Sequence, residues 1–200
     1  MKKTYVFYLY IIIMLGACYP QGPEYYEDLD VVYTNYDEDY DFASKGTYAI
    51  PDKIVKVTGN LVEGEDPEFV DEPYNGQILQ KIENNMSDLG WTKTDDPANA
   101  DVVLFPAVWS NTTIYYWYDY WCWYYPWYCG WGWGYPSVSS YTTGTLIMTL
   151  VADGDDYIDP TRVWTAAANG LLSGAVNISR VNTAIDQAFE QSPYLNTNSR

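Results

Sequence analysis

The sequence predicts an α+β fold, a mainly antiparallel sheet carrying two amphipathic helices on one face and a Trp- and Tyr-rich loop or hairpin inserted between two strands. Three observations predict it. Two stretches show apolar residues at three- and four-residue spacing, the helical period. At least four runs are rich in β-branched and aromatic residues and end in turn signals. Their order is strand, helix, strand, a long aromatic stretch, strand, strand, helix. Placing both helices on one face of the sheet buries their apolar stripes together.

The first strand is expected from Lys45 to Ile50, where Pro51 stops it. In the first helix, Gln77 to Leu89, residues Ile78, Leu79, Ile82, Met86 and Leu89 share one side, and Gly90 supplies a C-terminal stop. Asp101 to Trp109 is a strand with a buried-looking Val102-Val103-Leu104-Phe105 core. Thr145 to Val151 and Arg162 to Ala168 form a predicted hairpin. The last helix is expected to start from Ser179 as its cap, to align Val181, Ala184, Ile185, Ala188 and Phe189, and to end at Ser192-Pro193. No repeat of solenoid length is visible.

Ahead of this domain, Lys2 and Lys3 precede an apolar run from Tyr5 to Leu15 that closes on Gly16 and Ala17. A basic start, an apolar middle and a small-residue exit make a secretory signal. The run is about a dozen residues, short of the roughly 20 that a helix needs to cross a bilayer. Residues 1–17 are therefore expected to be cut away. Leu15-Gly16-Ala17-Cys18 resembles the lipobox of bacterial lipoproteins, which implies a diacylglyceryl group on the Cys18 sulfur, with palmitate among the fatty acids of the anchor. Several chains give the anchoring that one chain cannot, since each buried methylene contributes about 0.8 kcal/mol. The implied partner is a membrane, held through this lipid, with the outer membrane of the cell envelope as the expected location. An ordinary cleavage site beside a chance cysteine is the plainer alternative.

Residues 18–30 hold Pro20, Gly22, Pro23, Glu24, Glu27, Asp28 and Asp30 with few aliphatics; such a composition suits an acylated tether. Residues 31–192 then make one domain with its insert at 111–140, and 193–200 a C-terminal tail. The formal charge is −17; loss of Lys2 and Lys3 with the signal takes it to −19. A chain so acidic repels phosphate backbones and anionic head groups. Nucleic acid is not an expected partner, and the lipid rather than surface charge must provide adhesion.

The absence of histidine excludes serine or cysteine nucleophiles paired with imidazole, and His-based metal cages. No cofactor or metal is expected. Asp37-Glu38-Asp39-Tyr40-Asp41 and Asp153, Asp155, Asp156 and Asp159 lack the glycine and glutamate offsets of a helix-loop-helix calcium site and read as polar turns. Cys122 and Cys129, beyond the reducing cytosol, form either a short-loop disulfide or two free thiols.

Between Tyr115 and Tyr135, 14 of 21 residues are Trp or Tyr and Asp119 is the sole charge. So many rings exceed what one small core can absorb. Rings with an apolar face and one polar edge suit half-wet places: sugar platforms, protein interfaces, membrane head-group layers. Candidate binding residues are Trp117, Trp121, Trp123, Trp127, Trp131 and Trp133. Three readings stand: a self-packed cap without ligand, a contact for an envelope protein or glycan, and insertion into the membrane interface.

The chain resembles the bacterial lipoprotein family known as domain of unknown function 4136. The likeness lies in Asp41-Phe42 with Thr47-Tyr48, Ala100-Asp101-Val102-Val103, Gly144-Thr145-Leu146, and Asp153 with Val163-Trp164. It covers roughly residues 30 to 190. The turn from Asp153 to Pro160 is longer and more acidic than the family's usual connection. The resemblance implies an α+β envelope domain and brings no reaction, catalytic residue or cofactor. The enzymatic alternative is a glycosidase, which needs only two facing carboxylates; Asp101 and Asp153 are its candidates, and each is more easily explained as a strand-edge or turn residue. The expected role is binding or scaffolding without catalysis.

Overall fold

The computed structural model describes residues 32–57, 68–109, 144–152, 161–171 and 176–198. Among the described residues eight strands form one sheet: β1 (Val32–Tyr36), β2 (Thr47–Ala49), β3 (Val55–Val57), β4 (Glu68–Phe69), β5 (Thr92–Lys93), β6 (Val102–Trp109), β7 (Thr145–Ala152) and β8 (Thr161–Ala168). Helix α1 spans Tyr74–Asp88 and α2 spans Ile178–Glu190. The α+β class holds. The expected hairpin of β7 and β8 is present and antiparallel, as is the β6–β7 pair.

The sheet is mixed, which corrects the expectation of a mainly antiparallel one. β2 and β3 both run parallel to β6, and β2 runs parallel to β5. The cause is the connection: a strand that reaches its neighbour through a helix returns in its original direction, whereas antiparallel pairing needs only a tight turn. β2 and β3 meet β6 one after the other, Ala49 opposite Val103 and Val55 opposite Ala107. Pro106 falls in the gap between these two segments, so its missing N–H costs no ladder bond on that side.

The central strands are buried on both faces. Toward the helices, Leu104, Leu146, Met148, Leu150 and Trp164 meet Ile78, Ile82, Met86, Ile185 and Phe189 in the main core. The opposite face carries Val55, Val57, Phe105, Ala107, Trp109, Ile147, Val151 and Ala167, with Thr149 and Thr165 buried across the β7–β8 pair. Double-sided burial explains why β6 to β8 read as continuous apolar runs rather than as alternation.

Both helices start earlier than expected. α1 begins at Tyr74, where Asn75 is buried: its Oδ1 accepts from the Ile54 N–H (2.9 Å), and its Nδ2 donates to the Asp52 carbonyl and to Glu72 (3.0 Å each). At its end Gly90 has φ 90°, and the Trp91 N–H returns to the Met86 carbonyl, a glycine-based close. The cap of α2 is Asn177, not Ser179. The Asn177 Oδ1 accepts from the Ser179 and Arg180 N–H groups, which places Ser179 inside the first turn. Residues 193–198, expected as a tail, are packed on the domain: Leu195 is fully buried, its carbonyl accepts from Trp91 Nε1 (2.8 Å), and the Thr197 N–H donates to the Leu89 carbonyl.

Candidate functional site

Cys18, Cys122, Cys129, Asp153 and the six tryptophans Trp117, Trp121, Trp123, Trp127, Trp131 and Trp133 lie outside the described residues, as does the whole 111–140 insert. Of the two candidate catalytic acids, Asp101 and Asp153, Asp101 is the one that can be placed.

Asp101 stands just before β6 and reaches across to the start of β2. Its Oδ2 accepts three hydrogen bonds, from the Gly46 N–H (2.9 Å), the Thr47 N–H (2.8 Å) and the Thr47 hydroxyl (2.8 Å). The Asp101 N–H donates back to Thr47 Oγ1 (3.0 Å). Parallel strands cannot be joined by a hairpin, so this reciprocal clasp sets where β2 begins against β6. Burial acts to raise the Asp101 pKa, but the two backbone N–H groups, the Thr47 hydroxyl and the nearby Lys45 charge outweigh it and hold the carboxyl below the ordinary value. A group held in its charged form is a poor proton donor. Beside it, burial raises the Tyr40 phenol, with the negative charges of Asp101 and Asp41 adding to the effect. Tyr40 therefore stays protonated at neutral pH, packed edge-on to Phe42 at 4.8 Å. Among the described residues no three His, Cys, Asp or Glu side chains come together as metal ligands.

The second feature is one the sequence reading missed. Among the described residues β1 ends the sheet, paired with β8 from Val32 opposite Ala168 to Tyr36 opposite Trp164. Tyr33 (53% exposed) and Tyr36 (38%) are the exposed large hydrophobic residues among those described. Each is held in place: Asn35 Nδ2 donates to the Tyr33 hydroxyl (3.1 Å), and Tyr36 stacks on Tyr194 with centroids 3.6 Å apart. The available signal was an uncharged Val-Tyr-Thr-Asn-Tyr stretch between acidic runs.

A mixed eight-stranded sheet with paired helices on one face and an aspartate clasp at its parallel seam defines an α+β domain whose placed acid serves its own architecture. The chain belongs to the DUF4136 family, whose model, Domain of unknown function (DUF4136), matches residues 32–194. A solved DUF4136 family protein from Bacteroides thetaiotaomicron VPI-5482 shares 29% identity over 84% of this chain and 98% of its own, with a TM-score of 0.66. Two slighter likenesses, to the PelC dodecamer from Paraburkholderia phytofirmans and to a PDZ domain protein from Parabacteroides distasonis ATCC 8503, have TM-scores of 0.43 and 0.44. They share 11% and 14% identity, over 85% and 82% of this chain and 99% and 36% of theirs. At that level they say nothing about activity or assembly. Comparison with curated proteins finds no match.

Proposed function

We propose that this is a lipid-anchored protein of the bacterial cell envelope, acylated on Cys18 at the outer membrane, whose domain binds or scaffolds without catalysis. The observation that carries the non-catalytic part is the Asp101 clasp. A glycosidase acid needs a raised pKa and a free face toward substrate. Asp101 has a lowered one, which unfits it as the proton donor, and the Oδ2 that an ionised nucleophile or base would turn to substrate is spent on the Gly46 and Thr47 N–H groups and the Thr47 hydroxyl. The anchoring part is supported by the signal-like start and Leu15-Gly16-Ala17-Cys18. In this reading the Trp- and Tyr-rich insert meets an envelope protein or glycan, and the acidic surface keeps nucleic acid away.

The test is a membrane-fraction pull-down of the intact chain beside one lacking 111–140, with mass spectrometry of the mature terminus. Expected are an acylated Cys18 and a captured partner that disappears with the insert. An unmodified terminus refutes the anchor; a partner retained without the insert refutes its binding role. Release of reducing sugar from cell-wall polymer, lost in Asp101→Asn, overturns the non-catalytic assignment.

A further inference from the structure

We propose that the outer edge of β1 is a docking site for an extended polypeptide strand with an uncharged, β-branched centre and basic residues at the end that meets Asp37–Asp41. The proposal deepens the binding reading above but does not depend on the aromatic insert.

A sheet edge is a row of backbone donors and acceptors that another strand can complete, and proteins ordinarily guard it with brevity, charge, proline or a bulge. The far side of this sheet is guarded. Beyond β6 it breaks into β4 and β5, two residues each, carrying Glu68 and a Lys93 that pairs with Glu83 at 2.6 Å. β1 has none of these guards. It runs five residues without charge, proline or glycine, in unbroken register with β8. Its two exposed rings are fixed before any partner arrives, Tyr33 by Asn35 and Tyr36 by Tyr194, so docking spends little side-chain freedom on them.

Charge selects the occupant. Directly after β1 come Asp37, Glu38, Asp39 and Asp41, with Glu38 and Asp39 exposed. The Asp39 N–H folds back on Asp37 Oδ1 (3.0 Å), holding this acidic turn at the strand's end. In antiparallel addition the incoming strand brings its N-terminal end to that turn, and lysine or arginine there meets opposite charge. A second copy of this chain suits the edge poorly, because its formal charge is −17 and the sequence ahead of its own β1 holds Asp28 and Asp30 where lysine or arginine is wanted.

The probe is a fluorescein-labelled peptide, Lys-Lys-Thr-Val-Thr-Val-Thr, titrated against the full chain bearing Cys18→Ala with anisotropy as readout. Two matched peptides accompany it, one with Glu-Glu in place of Lys-Lys and one with proline at the central threonine. Binding of the lysine peptide is expected with a Kd below about 1 mM, weakened about tenfold or more by the glutamates and lost with the central proline, which removes a ladder donor. Tyr33→Lys, at a largely exposed position, is expected to weaken the lysine peptide about tenfold while the melting temperature holds. The proposal is overturned by no binding at about 1 mM, by equal affinity for the three peptides, by an unchanged Kd in Tyr33→Lys, or by self-association of the chain that Tyr33→Lys abolishes. Deleting 111–140 leaves this binding in place, so a failed pull-down for the insert and a failed titration here are separate results.

Discussion

The two sides of the sheet differ in how fully their polar groups are used. On the β2–β5 side polar groups are tied into the fold: Asp101 clasps Gly46 and Thr47, the Thr92 and Thr94 N–H groups donate to the Gly46 and Tyr48 carbonyls, and Trp91 anchors the C-terminal segment. On the β1 side a five-residue strand faces outward with uncharged side chains. Parallel seams are assembled from distant pieces of chain and need side-chain stakes to set their register, whereas β1 takes its register from a regular antiparallel ladder with β8. The side that is harder to build is the one that is closed, and the edge proposed for recognition is the other.

The largest effect is expected from breaking the closed side at Trp91. This indole is buried in the main core, and its Nε1 donates to the Leu195 carbonyl. Trp91→Ala removes the ring and orphans that carbonyl, and large-to-small changes of this kind cost about 3 to 5 kcal/mol. Urea unfolding should show a midpoint far below the parent, with residues 193–198 cut early by protease. A loss under about 1 kcal/mol, the scale of one ordinary hydrogen bond, would mean that the C-terminal segment is not held by this residue.

Next comes the clasp. Asp101→Ala is expected to cost about 2 kcal/mol at neutral pH, the scale of losing charge-assisted hydrogen bonds at a partly wetted site. The pH dependence has a definite sign. Because the folded pKa lies below the unfolded one, the stabilisation is present above the unfolded value of about 3.9 and is lost as pH falls through the folded value. The stability gap between parent and Asp101→Asn should therefore be full at pH 6 and close progressively below about pH 4. A gap that stays constant down to pH 2 would show that the charge on Asp101 is not what the clasp uses.

Much of the closed architecture was legible in the chain. α1 and α2 are marked by their apolar stripes, and β6 to β8 by long buried runs, because tertiary packing on these elements demands sequence signals of matching length. β3, β4 and β5 were missed, since strands of two or three residues carry no period to detect, and β1 was missed because its acidic neighbours blur into the tether. Ser179 is the expected cap of α2, yet asparagine caps as well as serine does, and Asn177 stands two positions earlier. The parallel seam is implied by the strand, helix, strand order around α1, which the expectation of a mainly antiparallel sheet leaves unused. Asp101 stood out as an acid at the head of an apolar strand. Its role was hidden because Thr47, its partner, lies 54 positions earlier, a pairing that no local pattern reports.

On the open side the expected changes are smaller. Tyr36→Ala removes the stack on Tyr194 and the tilted contact with Phe42 at 6.5 Å. Ring pairs contribute about 0.5 to 1.5 kcal/mol beyond area burial. Thermal melts should thus fall by a few degrees, and Tyr36→Phe, which keeps the stack, should match the parent. Equal losses in both variants would shift the explanation from the ring to the phenol hydroxyl.

The smallest effect separates guarding from stabilising. Lys93 pairs with Glu83 at 2.6 Å, yet both groups touch solvent, where such pairs contribute about 0 to 1 kcal/mol. Lys93→Ala should leave the unfolding midpoint within about 0.5 kcal/mol of the parent. Its consequence should be in association: removing the charge from β5 strips one guard from the far edge, although brevity remains. Sedimentation at rising concentration is expected to show little change for Lys93→Ala alone, because two residues give an incoming strand too few ladder bonds. If Lys93→Ala by itself drove self-association, the contrast between a guarded and an unguarded edge would rest on charge rather than on strand length.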